Sequence, residues 1–215
     1  MIVEGMNDQE FVLEVIRDFF DEIRHYVVST VANKGKIEVR HTSDYTSKRG
    51  NKWFLIFRPE FDGQFSIHVK RPQPKEWFTW YSLILQQTNI TLFGFNKHVA
   101  KRISERYHPE LTPSEALKEM FMKTPAIIQG DTGKEFYTRV NGGVCIGSVY
   151  GKRFSINVGR QDIQVVDLRD TKTFISDELL FDDQRKITEE SIALAINRLG
   201  SEYLSDHDLK KDSSD

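Results

Sequence analysis

Asn7-Asp8-Gln9-Glu10-Phe11-Val12-Leu13-Glu14-Val15-Ile16 opens as a helix, and Ile37-Glu38-Val39-Arg40-His41-Thr42 opens as a strand. The change of period between the two decides the fold class. In the first stretch Asn7 can cap and Glu10 follows three residues on, the spacing of a capping box. Phe11, Val15, Phe19, Ile23 and Tyr26/Val27 then recur at helical spacing, with Leu13, Ile16 and Phe20 widening the apolar stripe. This helix is expected to end near Asn33–Gly35. In the second stretch apolar and polar residues alternate, the pattern of a half-buried strand. Trp53–Phe57 and Phe65–Val69 follow as further strands, separated by turns at Lys48–Asn51 and Asp62–Gly63. Residues 36–70 therefore read as a three-stranded antiparallel meander laid on the first helix.

Beyond Pro72 and Pro74 the periodicity is ambiguous. Trp77–Leu85 is aromatic and apolar throughout and fits either a short helix or a buried strand. Ile90–Phe95 reads as a short strand or an extended entry to the next helix. Asn96–Tyr107 is helical, and Thr112-Pro113-Ser114-Glu115 starts another helix, with Thr as cap, Pro first and Glu third. Strands are expected at 134–140, 143–150, 153–158, 162–168 and 171–176, with turns at Asn141-Gly142, Gly151-Lys152 and Arg160-Gln161. A last helix is expected to open at Thr188 and to carry Ile192, Ala195, Ile196 and Leu199, before a polar tail from Ser205 to Asp215.

The fold class is α+β: an N-terminal helix with an antiparallel meander, two short helices, an antiparallel sheet of four to five strands, and a C-terminal helix. The natural division is 1–75, 76–204 and a tail over 205–215, which one continuous domain would also accommodate.

The 215 residues, 39% hydrophobic and 29% charged, can bury a sizeable core without covalent staples. One cysteine, Cys145, excludes an internal disulfide and reads as a small buried hydrophobe. Met1–Glu10 carries three acids and no base, unlike a secretory signal, and no run suits a membrane span; the cytoplasm is the expected location. A net charge of −2 excludes indiscriminate polyanion binding, so RNA would need a local basic patch. No phosphate-binding glycine loop, zinc-ligand spacing or nucleophile elbow occurs, so no metal and no cofactor is expected. His41 and His68, in strand pattern, read as core or surface residues.

One constellation carries chemistry. Asn96–His108 holds Lys97, His98, Lys101, Arg102, Arg106 and His108 against a single acid, Glu105. Helical spacing puts His98 and Arg102 on one face with Arg106 a turn further, beside an apolar stripe of Val99 and Ile103. Such a stripe can be a solvated helix face. It can also bind phosphate, because arginine stays charged and matches phosphate oxygens with a planar fork, while histidine titrates near neutrality and can move protons.

The run His98-x-x-x-Arg102-x-x-x-Arg106 resembles the helix of the metal-independent ribonuclease superfamily of barnase, colicin-type and RelE-type toxins. There the helix is followed by a short helix and a four-stranded antiparallel sheet with a Thr-x-Ile-like motif on its last strand. Lys172-Thr173-Phe174-Ile175-Ser176 stands in that place here. The resemblance covers residues 93–187. It implies His98 as acid and base, Arg102 and Arg106 as phosphate-binding cations with Lys101 beside them, and Thr173 as a hydroxyl contact; Ser176 and Gln184 lie nearby. It has no counterpart for residues 1–88. The function it implies is a metal-independent endoribonuclease of toxin or phage type acting on RNA. The alternative is a non-catalytic binding protein that meets a protein partner through the N-terminal helix-plus-sheet and the aromatic stretch Trp77-Phe78-Thr79-Trp80-Tyr81. The oligomeric state stays open.

Overall fold

The computed structural model describes residues 1–32, 41–58, 64–75, 77–86, 89–124, 129–157, 164–190 and 193–194. Helix α1 (Asp8–Asp18) runs through a π-helical turn (Phe19–Ile23) into α2 (Arg24–Ala32). Its start is the expected capping box: Glu10 N–H donates to Asn7 Oδ1 at 2.9 Å, and Glu10 Oε2 accepts from Asn7 N–H at 3.1 Å. The expected helix end at Asn33–Gly35 and the strand opening at Ile37–Arg40 lie outside the described residues, as do the turns at Asp62-Gly63 and Arg160-Gln161, most of the C-terminal helix and the tail.

The strands are β1 (His41–Thr46), β2 (Lys52–Arg58), β3 (Gln64–Gln73), β4 (Trp77–Gln86), β5 (Asn89–Phe95), β6 (Gln129–Asp131), β7 (Glu135–Val140), β8 (Gly143–Ser148), β9 (Lys152–Ile156) and β10 (Gln164–Ser176). Two helices, α3 (Lys97–Tyr107) and α4 (Pro113–Lys123), lie between β5 and β6. The protein is α+β, but its sheet differs from the expected one. Among the described residues all ten strands join, in the order β1-β2-β3-β4-β5-β10-β8-β7-β6, with β9 beside β10. The meander β1-β2-β3 is antiparallel as expected. It continues through β4 and β5, and β5 then pairs in parallel with β10, so the sheet is mixed. The junction near residues 75–76 falls in the turn between β3 and β4, which pair from Ile67↔Leu83 to Gln73↔Trp77.

Strand β10 replaces the two strands expected at 162–168 and 171–176. Its first half pairs with β5 on one edge and β9 on the other; its second half pairs with β8. A register shift between Thr171 and Thr173 absorbs the change. Because β8 and β9 both run antiparallel to β10 in succession, they form one kinked ribbon along its edge.

Alternation along the strands makes three layers. Trp53, Leu55, Val69, Tyr81, Leu92 and Val166 bury under α1 and the π turn. Phe54, Ile56, Trp80, Phe93, Phe95 and Phe174 bury under α3 and α4, whose Val99, Ile103, Leu117 and Phe121 meet them. Trp77–Gln86 is thus a strand buried on both faces over its middle, which is why it lacks a half-buried strand's period. Trp80 and Tyr81, considered for a protein-facing surface, are core residues at 2% and 3% exposure.

Two buried polar groups fasten the layers. Asp18, fully buried, accepts from Trp53 Nε1 and Asn51 Nδ2, both at 2.7 Å. On the other face His68 is buried between Ser82, which shares a 2.8 Å hydrogen bond with its Nδ1, and the stacked ring of Phe121 at 3.9 Å. Cys145 is buried as expected, and burial raises its thiol pKa, which suits packing rather than nucleophilic attack. The C-terminal helix begins before Thr188: residues 182–190 are helical, and Thr188 lies inside with its hydroxyl donating to the Gln184 carbonyl at 2.7 Å. The early start follows from Gln184, whose side chain accepts from Phe181 N–H at 3.3 Å.

Candidate functional site

Helix α3 starts where the Asn96 side chain accepts from the backbone N–H groups of His98 and Val99, at 3.0 and 3.2 Å. Val99, Ala100 and Ile103 bury against the sheet, and buried Ser104 donates to the Leu111 carbonyl at 2.7 Å. This fixes the rotation of the helix and leaves Lys97, His98, Lys101 and Arg106 exposed, with Arg102 half-buried.

The residues expected to act together are partly brought together. Arg102 Nη1 donates to Thr173 Oγ1 across the α3–β10 junction. One turn on, Arg106 Nη1 donates to the Phe174 carbonyl at 3.1 Å. Both guanidiniums therefore meet neutral oxygens, and among the described residues neither has a carboxylate partner. Lys101 differs, because its ammonium pairs with Glu105 at 3.4 Å on an exposed face. His98 is exposed one turn before Arg102, and no contact joins its imidazole to Arg102 or Thr173. Ser176 is buried at the far end of β10, and Gln184 serves the C-terminal helix.

A cleft of about 450 Å³ opens at the head of α3, beside Asn96 and Lys97. Its other walls come from α1 and from β3, β4 and β10: Asp8, Arg71, Trp77, Tyr81 and Asp170 among them. Arg71 is buried, lies over the Phe11 ring at 4.5 Å, and donates to Asp8 Oδ1 at 2.7 Å and to the Met6 carbonyl at 2.5 Å. Lys152 takes the other Asp8 oxygen at 2.5 Å. Burial alone would raise the Asp8 pKa, but the bonds from Lys152 and Arg71 outweigh it and hold the carboxyl below its usual range.

Asp170 is perturbed the other way. Its surface is open to solvent, yet its carboxyl stands among enough protein atoms that desolvation raises its pKa, against the opposing influence of the Tyr81 hydroxyl and of Arg71 and Lys152. It has no ion-pair partner among the described residues. Trp77 is half-buried, and the Lys97 ammonium rests 3.0 Å from its ring centroid. Asp8, Arg71 and Asp170 carried no functional signal in the sequence, since each lies on a different element. Only Trp77 and Tyr81 stood out, as parts of an aromatic run.

The two features differ in chemistry. The α3–β10 junction offers guanidiniums without carboxylate counter-ions among the described residues, with an exposed imidazole one helical turn away, which suits an anion. The cleft offers an aromatic face, amides and a carboxylate without a direct ion pair, which suit a planar polar group. Among the described residues no group of three or more His, Cys, Asp or Glu side chains could hold a metal ion. No described helix is long and apolar enough to cross a membrane. Compared with known proteins, the chain matches no family model, no curated protein and no solved structure, so the ribonuclease resemblance rests on the residues quoted for it alone.

Proposed function

We propose that the protein is a metal-independent endoribonuclease whose working surface is the α3–β10 junction. The observation that carries this reading is the Arg102–Thr173 hydrogen bond, made while both Arg102 and Arg106 lack a carboxylate among the described residues. A phosphodiester laid there would meet two permanent cations, with His98 one turn away at the helix start. His98 would take the proton from a ribose 2′-hydroxyl, the 2′-oxygen would attack phosphorus, and the 5′-oxygen would leave with a proton from solvent, giving a 2′,3′-cyclic phosphate and a 5′-hydroxyl. The arginines would stabilise the charge that builds on the phosphorane, and Thr173 would orient Arg102 or donate to a phosphate oxygen. Lys101, paired with Glu105 at an exposed site where such pairs are weak, would add positive potential only.

Purified protein mixed with total RNA in EDTA tests the reading. Cleavage should leave 2′,3′-cyclic phosphate ends, and His98→Ala should slow it by about 10²–10⁴-fold, the usual worth of general acid–base catalysis. RNA left intact at stoichiometric protein would overturn it. The cleft supports a second reading, a binding protein without chemistry. That reading requires RNA or nucleotide binding that survives His98→Ala with no strand scission.

A further inference from the structure

The cleft at the head of α3 adjoins the proposed catalytic surface. Asn96 and Lys97 line it, and His98 is the next residue of the same helical turn. The Asn96 amide donates to the Thr171 carbonyl at 3.3 Å, which ties this wall to β10 two residues before Thr173. From Lys97 to Arg102 the helix rises about 7.5 Å, on the scale of one nucleotide.

We propose that this cleft is a base-recognition subsite: an unstacked RNA base that bears an exocyclic amino group stacks on Trp77 and donates the amino group to Asp170, with its phosphate directed toward His98 and Arg102. For its substrate the inference rests on the ribonuclease reading, which it deepens. Proteins that read single-stranded RNA do so on bases splayed onto aromatic side chains and hydrogen-bonded at their edges. Trp77 is the one tryptophan of the three with appreciable exposure, since Trp53 and Trp80 are 1% and 2% exposed. Its ring is covered by the Lys97 ammonium, the end of a flexible side chain that can swing off the ring to follow an incoming phosphate.

Asp170 supplies discrimination. Its exposed carboxyl lines the cleft and no cation among the described residues reaches ion-pair distance of it, Arg71 and Lys152 acting on it only from further off, so acceptor capacity remains. Adenine, cytosine and guanine each bring an amino donor, whereas uracil presents a carbonyl oxygen at the position of cytosine's amine and would set acceptor against acceptor. The volume of about 450 Å³ lies within the range of small-molecule sites.

The test titrates full-length protein with the 3′-monophosphates of adenosine, cytidine, guanosine and uridine, reading tryptophan fluorescence and, independently, calorimetric heat. At least one amino-bearing nucleotide should bind ten-fold or more tightly than uridine 3′-monophosphate. Asp170→Asn should erase that preference, and Trp77→Ala should weaken binding about ten-fold while Trp77→Phe retains most of it. Circular dichroism and melting temperature establish that each variant is folded. Where RNA is cut, mapped cleavage sites should lose their base preference in Asp170→Asn. Equal binding of all four nucleotides, or no binding, overturns the subsite even if RNA is cleaved. Preference for an amino-bearing base without any cleavage keeps the subsite and removes only the catalytic reading.

Discussion

Replacing His68 should flatten the acid dependence of stability. Its imidazole lies fully buried in the core beneath α4, stacked on Phe121, with the always-charged Arg58 close by, and its Nε2 has no hydrogen-bond partner among the described residues. Burial first, and then Arg58, push its pKa down from 6.5 to about 3. The folded protein therefore keeps His68 neutral through a range in which the unfolded chain takes up a proton. The sign follows: stability is complete above about pH 6.5 and is lost as pH falls toward 3. At pH 5 the unfolded state gains roughly 1.5 pH units' worth of binding, or about 2 kcal/mol, which for a chain of this length is a fall of about 4–8 °C in melting temperature. Guanidinium unfolding between pH 8 and 4.5, compared between the wild type and His68→Gln, isolates this part, because contributions from carboxylates and from the other histidines appear in both. The two stability curves should converge as the pH drops. Parallel curves, or a His68 imidazole resonance that titrates near 6.5 in the folded protein, would refute the reasoning.

Asp18→Ala should cost about 2–4 kcal/mol in the same unfolding assay, since it strands the buried indole N–H of Trp53 and leaves Asn51 Nδ2 with only its 3.2 Å bond to Glu14; a loss below about 1 kcal/mol would mean the site relaxes or fills with water. Gly142→Ala should destabilise by about 2–4 kcal/mol, because Gly142 has φ 81° and a Cβ there would overlap the Tyr107 ring at the end of α3. Gly133→Ala has φ 82° but open space around it and should lose only the backbone part, so the difference between the two variants in urea titrations measures the overlap.

The parts of the fold that could be read from the chain were those set by neighbours in sequence. Asn7 with Glu10 and Thr112-Pro113 with Glu115 mark helix starts because the bonds they make span three residues. Asn141-Gly142 marks a turn because φ 81° at Gly142 favours glycine. Thr188 misled because Thr-Glu-Glu-Ser imitates a cap, while the actual helix start is fixed by Gln184 bonding back to Phe181. The continuity of β10 was hidden by its polar middle, Arg169-Asp170-Thr171-Lys172, which resembles a turn but is held as strand by partners far away in sequence. The parallel join of β5 to β10 has no local signature, because nothing near Leu92 specifies Leu168. The same limit applies to function. Helical spacing places His98, Arg102 and Arg106 along one helix, but the Thr173 hydroxyl beside Arg102 and the cleft around Asp170 exist only once distant strands are side by side.

Since β10 belongs both to the stretch of sheet under α1 and to the stretch under α3 and α4, neither stretch can come apart without removing a strand from the other. Heating should therefore give one cooperative transition rather than two, with amides of Val166 and Phe174 exchanging their hydrogens at the same limiting rate.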